Sequence, residues 1–177
     1  MRRNRCRSPC WLPVRVLALR AVNTAAEQLG RSPLFRGFTA TGLQILASIA
    51  RERHLQPGTP IFREESAADA MYVVVEGAVR IGMTGSDGRE QTLAMLGAGE
   101  AFGELSLVTP GAERLVFAQA QDEVRLLEIQ QRDFARLQTQ KPQACLKLIL
   151  NIAGEFGRKM AENRPLLRSL LLPAARR

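Results

Sequence analysis

The chain has 177 residues, of which 46% are hydrophobic and 24% charged, as is typical of one globular domain with an ordinary core. No run of about 18 apolar residues is present, which argues against a membrane-spanning helix. The formal net charge of +8 comes from the ends, because residues 1–20 carry six arginines and residues 163–177 carry four, with no acid in either segment. Residues 21–162 hold 15 basic and 17 acidic side chains, so the body does not have the charge of a nucleic-acid-binding domain.

The reactive side chains are few and scattered. Cys6, Cys10 and Cys145 are too few and too scattered for a disulfide framework. Cys6 and Cys10 are close together, but no second pair or histidine cluster follows them to complete a zinc site, so free thiols in a reducing cytoplasm are favoured. His54 is the only histidine, which argues against a metal-dependent β-roll enzyme. Cys145 has no base near it in the sequence that would activate it as a nucleophile. We therefore expect a cytoplasmic protein that is not an enzyme and that needs no metal or cofactor.

Three regions follow one another along the chain. Residues 1–23 are basic and interrupted by Pro9 and Pro13, which predicts a disordered leader, and whether they are translated at all is left open. Residues 24–163 are predicted to form the folded domain, followed by an apolar and basic tail at 164–177. Apolar spacing predicts an N-terminal helix at about 39–53, with Thr39 or Thr41 as its cap.

Short strands are predicted between residues 55 and 129. Met71–Val75 has the β-branched, apolar character of a buried strand, and Asp87-Gly88 is typical of a hairpin turn between 78–83 and 90–96. Many short strands separated by Gly and Pro predict an antiparallel, jelly-roll-like β-roll. Helical periodicity returns afterwards and predicts helices at 130–138 and 141–162, with Pro142 in the first turn of the long C-terminal one.

The long helix carries an apolar stripe formed by Leu146, Ile149, Leu150, Ala153 and Phe156. Such a stripe packs either on the helix's own domain or on a second protein. We expect part of it to contact the β-roll and part to be available for a homodimer or a partner.

The segment from Glu100 to Val116 carries the most specific functional signal. Gly103 precedes an acidic residue, Glu104, and an arginine follows ten positions later, at Arg114, across a turn. An arginine can hold two phosphate oxygens at once, and a carboxylate can accept a hydrogen bond from a sugar hydroxyl. Free N–H groups where a glycine opens a helical turn complete an anion cradle. A simpler interpretation is an internal ion pair between Glu104 and Arg114 that braces the loop.

This segment closely resembles the phosphate-binding cassette of cyclic nucleotide-binding domains, in the catabolite-activator branch. The resemblance extends from about Ser32 to Asn163 and includes further segments in the same order. These are Leu34–Phe38 at the entry, Pro57–Phe62 at the first turn of the roll, Tyr72–Val79 at the central hairpin and Gly97–Glu104 before the cassette.

The resemblance implies specific roles. Gly103 and Leu105 would present backbone N–H groups, Glu104 would take the ribose 2′-hydroxyl, and Arg114 would hold the cyclic phosphate. The implied ligand-binding residues are Gly103, Glu104, Leu105, Ser106, Arg114, Leu115, Ile81, Leu93 and Ala94.

Two departures leave the nucleotide open. The family commonly has a small residue or a hydroxyl directly after the arginine, where this chain has Leu115. Glu155 and Lys159 stand at the positions where the catabolite-activator branch uses an arginine and a threonine near adenine. Cyclic AMP, cyclic GMP, another nucleotide and no ligand all remain open.

The resemblance implies a cyclic nucleotide-binding regulatory domain that acts on a separate partner protein. Only 14 residues, 164–177, follow the long helix, so we expect no helix-turn-helix domain and no specific DNA binding. The alternatives are a ligand-free interaction module of the same fold and a truncated transcription regulator.

Overall fold

The computed structural model describes residues 14–164, with the backbone alone at residues 14–21 and 23. Helix α1 spans Val14–Arg31, a 3-10 turn spans Pro33–Phe35, and α2 spans Ala40–Ala47. Eight strands follow: β1 Ala50–Leu55, β2 Pro60–Phe62, β3 Ala70–Glu76, β4 Val79–Thr84, β5 Glu90–Leu96, β6 Ala101–Phe102, β7 Phe117–Ala120 and β8 Val124–Gln130. A second 3-10 turn, Glu104–Leu107, follows β6, and the described chain ends with α3 Gln131–Gln140 and α4 Pro142–Glu162.

The strands form two four-stranded antiparallel sheets, which confirms the predicted β-roll. One sheet has the order β1-β8-β3-β6 and the other the order β2-β7-β4-β5. The predicted hairpin is formed by β4 and β5, and Gly88 in its turn has a φ of 74°. The long C-terminal helix is also confirmed, with Pro142 in its first turn.

Two cores lie on opposite faces of β3 and β8. Met71 and Val73 face the helices together with Ile129, whereas Tyr72 and Val74 face the second sheet. Because β3 is covered on both sides, its residues from Ala70 to Val75 are apolar instead of alternating with polar ones. This sheet therefore lies between the helices and the second sheet.

The predicted helix at 39–53 is too long. Thr39 caps α2 as expected, its hydroxyl accepting a hydrogen bond from the Gly42 N–H at 3.1 Å, but the helix ends at Ala47. Residues 50–55 are a strand that pairs with β8 from Ala50–Ile129 to Leu55–Val124, and they include His54. Pairing along a whole strand outweighs the helical spacing of a few apolar side chains, because local propensity is weak against tertiary contacts.

The predicted disorder of residues 1–23 does not hold for residues 14–23, which belong to α1. This helix contains neither proline nor glycine before Gly30, and it packs its Ala26 and Leu29 into the helical core. Residues 1–13, with Cys6 and Cys10, and the predicted tail beyond Arg164 lie outside the described residues. Within residues 14–164, no helix is long and apolar enough to cross a membrane.

The predicted apolar stripe of α4 is partly packed on the domain and partly exposed. Cys145, Leu148 and Ile152 form the buried face of α4, and of the stripe itself Ile149 is partly buried. Leu146, Leu150 and Phe156 are each about half exposed or more, at 56%, 60% and 49%. Most of the predicted stripe therefore faces away from the domain.

Candidate functional site

A cavity of about 680 Å³ opens at the end of the second sheet, between β4, β5, the Gly103 turn and α4. This is a common size for a pocket that holds one small organic ligand. Most of the predicted site residues border it. These are Ile81, Ala94, Gly103, Glu104, Leu105, Ser106, Arg114 and Leu115.

Leu93 does not border this cavity, contrary to the expectation. Pairing between β4 and β5 steps from Ile81–Ala94 to Gly82–Thr92, which leaves Leu93 as an extra residue at an irregularity in the register. Ala94 and Leu96 lie two positions apart and share the cavity side, whereas Leu93 is 54% exposed elsewhere. Leu96 therefore borders the cavity, whereas the resemblance had implied Leu93.

Gly103 is needed for two separate reasons. Its φ of 70° lies in the left-handed region, where a side chain is unfavourable. A Cβ atom at this position would stand 2.6 Å from Arg114 Nη1, which is closer than real Cβ atoms approach other atoms. The residue therefore lets the guanidinium reach the start of the helical turn. The first N–H groups of such a turn, here those of Glu104 and Leu105, have no acceptor within the turn itself.

Arg114 is buried, with 6% of its surface exposed. Its Nη2 donates to the Ala70 carbonyl oxygen at 2.5 Å, and its guanidinium carbon lies 4.1 Å from the centre of the Phe62 ring. Burial lowers the pKa of Arg114 below its ordinary value, and the nearby Tyr72, Asp69 and Glu104 offset part of this effect. An arginine keeps its charge in proteins. Arg114 therefore brings a positive charge into a largely apolar environment.

The backbone of Arg114 is held as firmly as its side chain. Its N–H donates to the Ser66 carbonyl and its carbonyl accepts from the Glu65 N–H, each at 2.8 Å. One donor of the guanidinium, Nε, is buried and has no hydrogen-bond partner among the described residues. A buried charged donor without a partner is costly.

Glu104 does not pair with Arg114, so the loop-bracing ion pair is absent from the contacts of the described residues. Its Oε1 instead lies 3.6 Å from Nζ of Lys159, on the last turns of α4. Glu155 does not border the cavity. Its carboxylate accepts a hydrogen bond from Arg158, one turn further along α4, and this hydrogen bond lowers the pKa of Glu155. Of the two residues of α4 that differ from the catabolite-activator branch, only Lys159 borders the cavity.

Sequence reasoning missed the residues that support Arg114. Phe62 and Ala70 are separated from it by 52 and 44 positions, and nothing in their local sequence indicates that they meet a guanidinium. An aromatic residue after Pro60-Ile61 and an alanine at the start of a strand are ordinary features. Only the pairing of the sheets brings them to the same place.

Fold and site together define a β-roll domain with a cavity that a buried arginine borders next to α4. Comparison with known proteins identifies the family to which this fold belongs. The model of the cyclic nucleotide-binding domain family matches residues 52–141. The "Cyclic AMP receptor protein" of Thermus thermophilus is 35% identical over 131 residues, which are 74% of this chain and 58% of that protein. The chain belongs to the cyclic nucleotide-binding domain family.

Solved structures show the same relationship. The catabolite activator protein of Thermus thermophilus matches with a TM-score of 0.70 and 34% identity, over 78% of this chain and 63% of that one. The N-terminal domain of a transcriptional regulator from Streptomyces coelicolor matches with a TM-score of 0.66 and 30% identity, over 74% and 94% of the two chains. The chain thus spans less than two thirds of the two Thermus proteins that it matches.

Proposed function

We propose that this chain is a cyclic nucleotide sensor that regulates a separate partner protein without being an enzyme. In this function Arg114 holds the cyclic phosphate and Glu104 accepts the ribose 2′-hydroxyl of cyclic AMP or cyclic GMP. The observation that carries the proposal is the buried guanidinium of Arg114, which borders the cavity with its Nη1 next to Gly103.

The buried positive charge of Arg114 supports a phosphate monoanion as ligand. A cyclic phosphate carries one negative charge, which one arginine can neutralise through two parallel hydrogen bonds. Glu104 is 18% exposed, so it can still be reached from the cavity. Ile81, Ala94 and Leu96 supply the apolar wall that a purine ring needs.

The arrangement also suggests how binding is transmitted. Lys159 belongs to α4 and lies near Glu104, so a ligand that engages Glu104 alters a contact between the cassette and this helix. A ligand shifts a conformational equilibrium only through contacts that differ between two states, and this contact is such a candidate. The exposed residues Leu146, Leu150 and Phe156 lie on the same helix. We infer that they form the surface that meets a second copy of the chain or the effector protein.

The test is isothermal calorimetry of the purified protein with cyclic AMP, cyclic GMP, cyclic dinucleotides and uncyclised 5′-AMP. We expect one cyclic mononucleotide to bind more tightly than 5′-AMP. Arg114→Ala should weaken binding by at least about a hundredfold, since two hydrogen bonds to a charged group contribute roughly 1.5–3 kcal/mol each.

A matched control is Arg80→Ala. Arg80 is also partly buried in the second sheet and lies 4.8 Å from the centre of the Phe117 ring, but it does not border the cavity. It should retain nucleotide affinity. Arg114→Lys keeps the positive charge and loses less packing than Arg114→Ala. Thermal unfolding of each variant shows whether the domain is folded. Absence of binding by the folded wild-type protein would contradict the proposal and favour a ligand-free interaction module.

A further inference from the structure

Phe62 has no role in the proposed function, yet its ring lies against the arginine that holds the phosphate there. The guanidinium carbon of Arg114 is 4.1 Å from the centre of the Phe62 ring and 6.0 Å from that of Tyr72. A ring face carries a negative potential that attracts a cation, and the attraction is stronger where water is excluded. Since Arg114 is buried, its contact with Phe62 belongs to the stronger class.

An irregularity in the pairing of β2 with β7 brings Phe62 to this position. Pro60 and Phe62 pair with neighbouring residues of β7, which leaves Ile61 as an extra residue on β2. In a regular strand, Ile61 and Phe62 would point to opposite faces of the sheet. Here Ile61 is buried in the core between the two sheets, and Phe62 packs against the same core. The bulge therefore adds one ring to the inside of the roll, beside the guanidinium.

Two further rings hold the Phe62 ring in place. Its centre is 6.0 Å from the ring centres of Tyr72 and of Phe102, and these two rings stack on each other at 5.2 Å. Both are buried, so the cluster has little room to rearrange. Phe102 directly precedes Gly103, and the three rings therefore connect Arg114 with the turn beside it.

Three contacts define the orientation of the guanidinium. Phe62 covers one of its faces, Nη2 donates to the Ala70 carbonyl oxygen, and Nη1 lies next to Gly103. Without the ring, a single hydrogen bond would hold the end of a long and flexible side chain. A donor group that is already oriented loses less freedom when it binds an anion than a mobile one does.

We propose that Phe62 is a positioning residue, whose ring face holds the Arg114 guanidinium beside Gly103 and thereby raises the affinity of the cavity for a cyclic phosphate. The ring acts through Arg114 and not by contact with the phosphate, because the negative face of an aromatic ring does not attract an anion. The inference rests on the proposed function, since the affinity in question is that of the phosphate at Arg114.

The decisive experiment weakens the negative potential of the ring face and keeps the shape of the ring nearly constant. Phenylalanines with one, two or three fluorine atoms are introduced at position 62 by stop-codon suppression, and each protein is titrated with cyclic AMP and cyclic GMP by calorimetry. Fluorine withdraws electron density from the face and so weakens its attraction for a cation. We expect the dissociation constant to rise with each fluorine, to about fivefold with three. Packing alone would give no such graded rise.

Phe62→Leu removes the ring and should weaken nucleotide binding by about tenfold, which lies within the range of a desolvated cation–π contact. The matched control is Phe117→Leu. The Phe117 ring lies 4.8 Å from the guanidinium carbon of Arg80 but does not border the cavity, so its removal should leave nucleotide affinity unchanged. Thermal unfolding shows whether each variant is folded, and the fluorinated proteins provide the test if Phe62→Leu is not.

The outcomes separate the two proposals. Equal dissociation constants across the fluorinated series, or equal losses of affinity in Phe62→Leu and Phe117→Leu, would overturn the role of the Phe62 ring and leave the proposed function standing. Absence of nucleotide binding by the folded wild-type protein would overturn both.

Discussion

The two ends of the cavity are built in different ways. At the phosphate end Arg114 is only 6% exposed, and its guanidinium contacts the Ala70 carbonyl and the Phe62 ring. The backbone N–H and carbonyl of Arg114 are both hydrogen-bonded as well. At the end formed by α4 the side chain of Lys159 is 48% exposed. A preorganised group loses little freedom on binding, whereas an exposed side chain must be ordered. Affinity should therefore depend mainly on the phosphate end, and selectivity on the exposed end.

The largest expected effect comes from disturbing the phosphate end through Gly103→Ala. The added methyl group would stand 2.6 Å from Arg114 Nη1, so the guanidinium must move away from the turn. We expect nucleotide affinity to fall by about a hundredfold, close to the loss in Arg114→Ala. The free energy of unfolding should fall by roughly 1–2 kcal/mol because of the left-handed backbone. Calorimetry and chemical denaturation measure the two quantities.

Gly88→Ala is the matched control for this prediction. Gly88 has a φ of 74°, but a Cβ there meets no atom within 4 Å. It should lose similar stability and keep nucleotide affinity. Equal affinities in the two variants would show that the approach of Arg114 to the turn does not matter for binding.

A smaller effect, in this case a gain in nucleotide affinity, is expected from Leu115→Ser, at the exposed residue that follows Arg114. The hydroxyl adds a donor next to the phosphate, and little packing is lost because Leu115 is 82% exposed. One hydrogen bond to a charged group contributes at most about 1.5–3 kcal/mol, and solvent exposure favours the lower end, so we expect a roughly threefold to tenfold gain. Leu93→Ser, also exposed but outside the cavity, should not change the affinity. If Leu115→Ser shows no gain, the hydroxyl does not reach the phosphate.

The smallest effect on nucleotide affinity is expected from Leu150→Ser, on the exposed face of α4. Leu150 is 60% exposed and does not border the cavity, so binding and monomer stability should change little, by about 0.5 kcal/mol or less. Self-association, measured by analytical ultracentrifugation, should decrease if α4 forms the dimer contact. Met95→Ser, an exposed apolar change on β5, should leave self-association unchanged. Equal self-association in the wild type and Leu150→Ser would exclude this residue from the contact.

The sequence determined those features that depend on local pattern. Apolar runs and turn residues indicated the β-roll, and Asp87-Gly88 indicated the hairpin between β4 and β5. Pro142 indicated the start of α4. The cassette, with Gly103, Glu104 and Arg114 at a characteristic spacing, indicated the site and the family, and the family is confirmed. These features are encoded by residues close together in the chain, where backbone preferences act directly.

The tertiary structure decided whatever depends on contacts between distant segments. Pairing with β8 made residues 50–55 a strand despite their helical spacing, and an irregularity in the pairing of β4 with β5 moved Leu93 out of the cavity. The unpartnered Nε of Arg114 and the approach of Lys159 to Glu104 also depend on segments that meet only after folding. The local sequence around a residue does not indicate which distant side chain will contact it, because strand register and helix packing across the whole domain determine that contact.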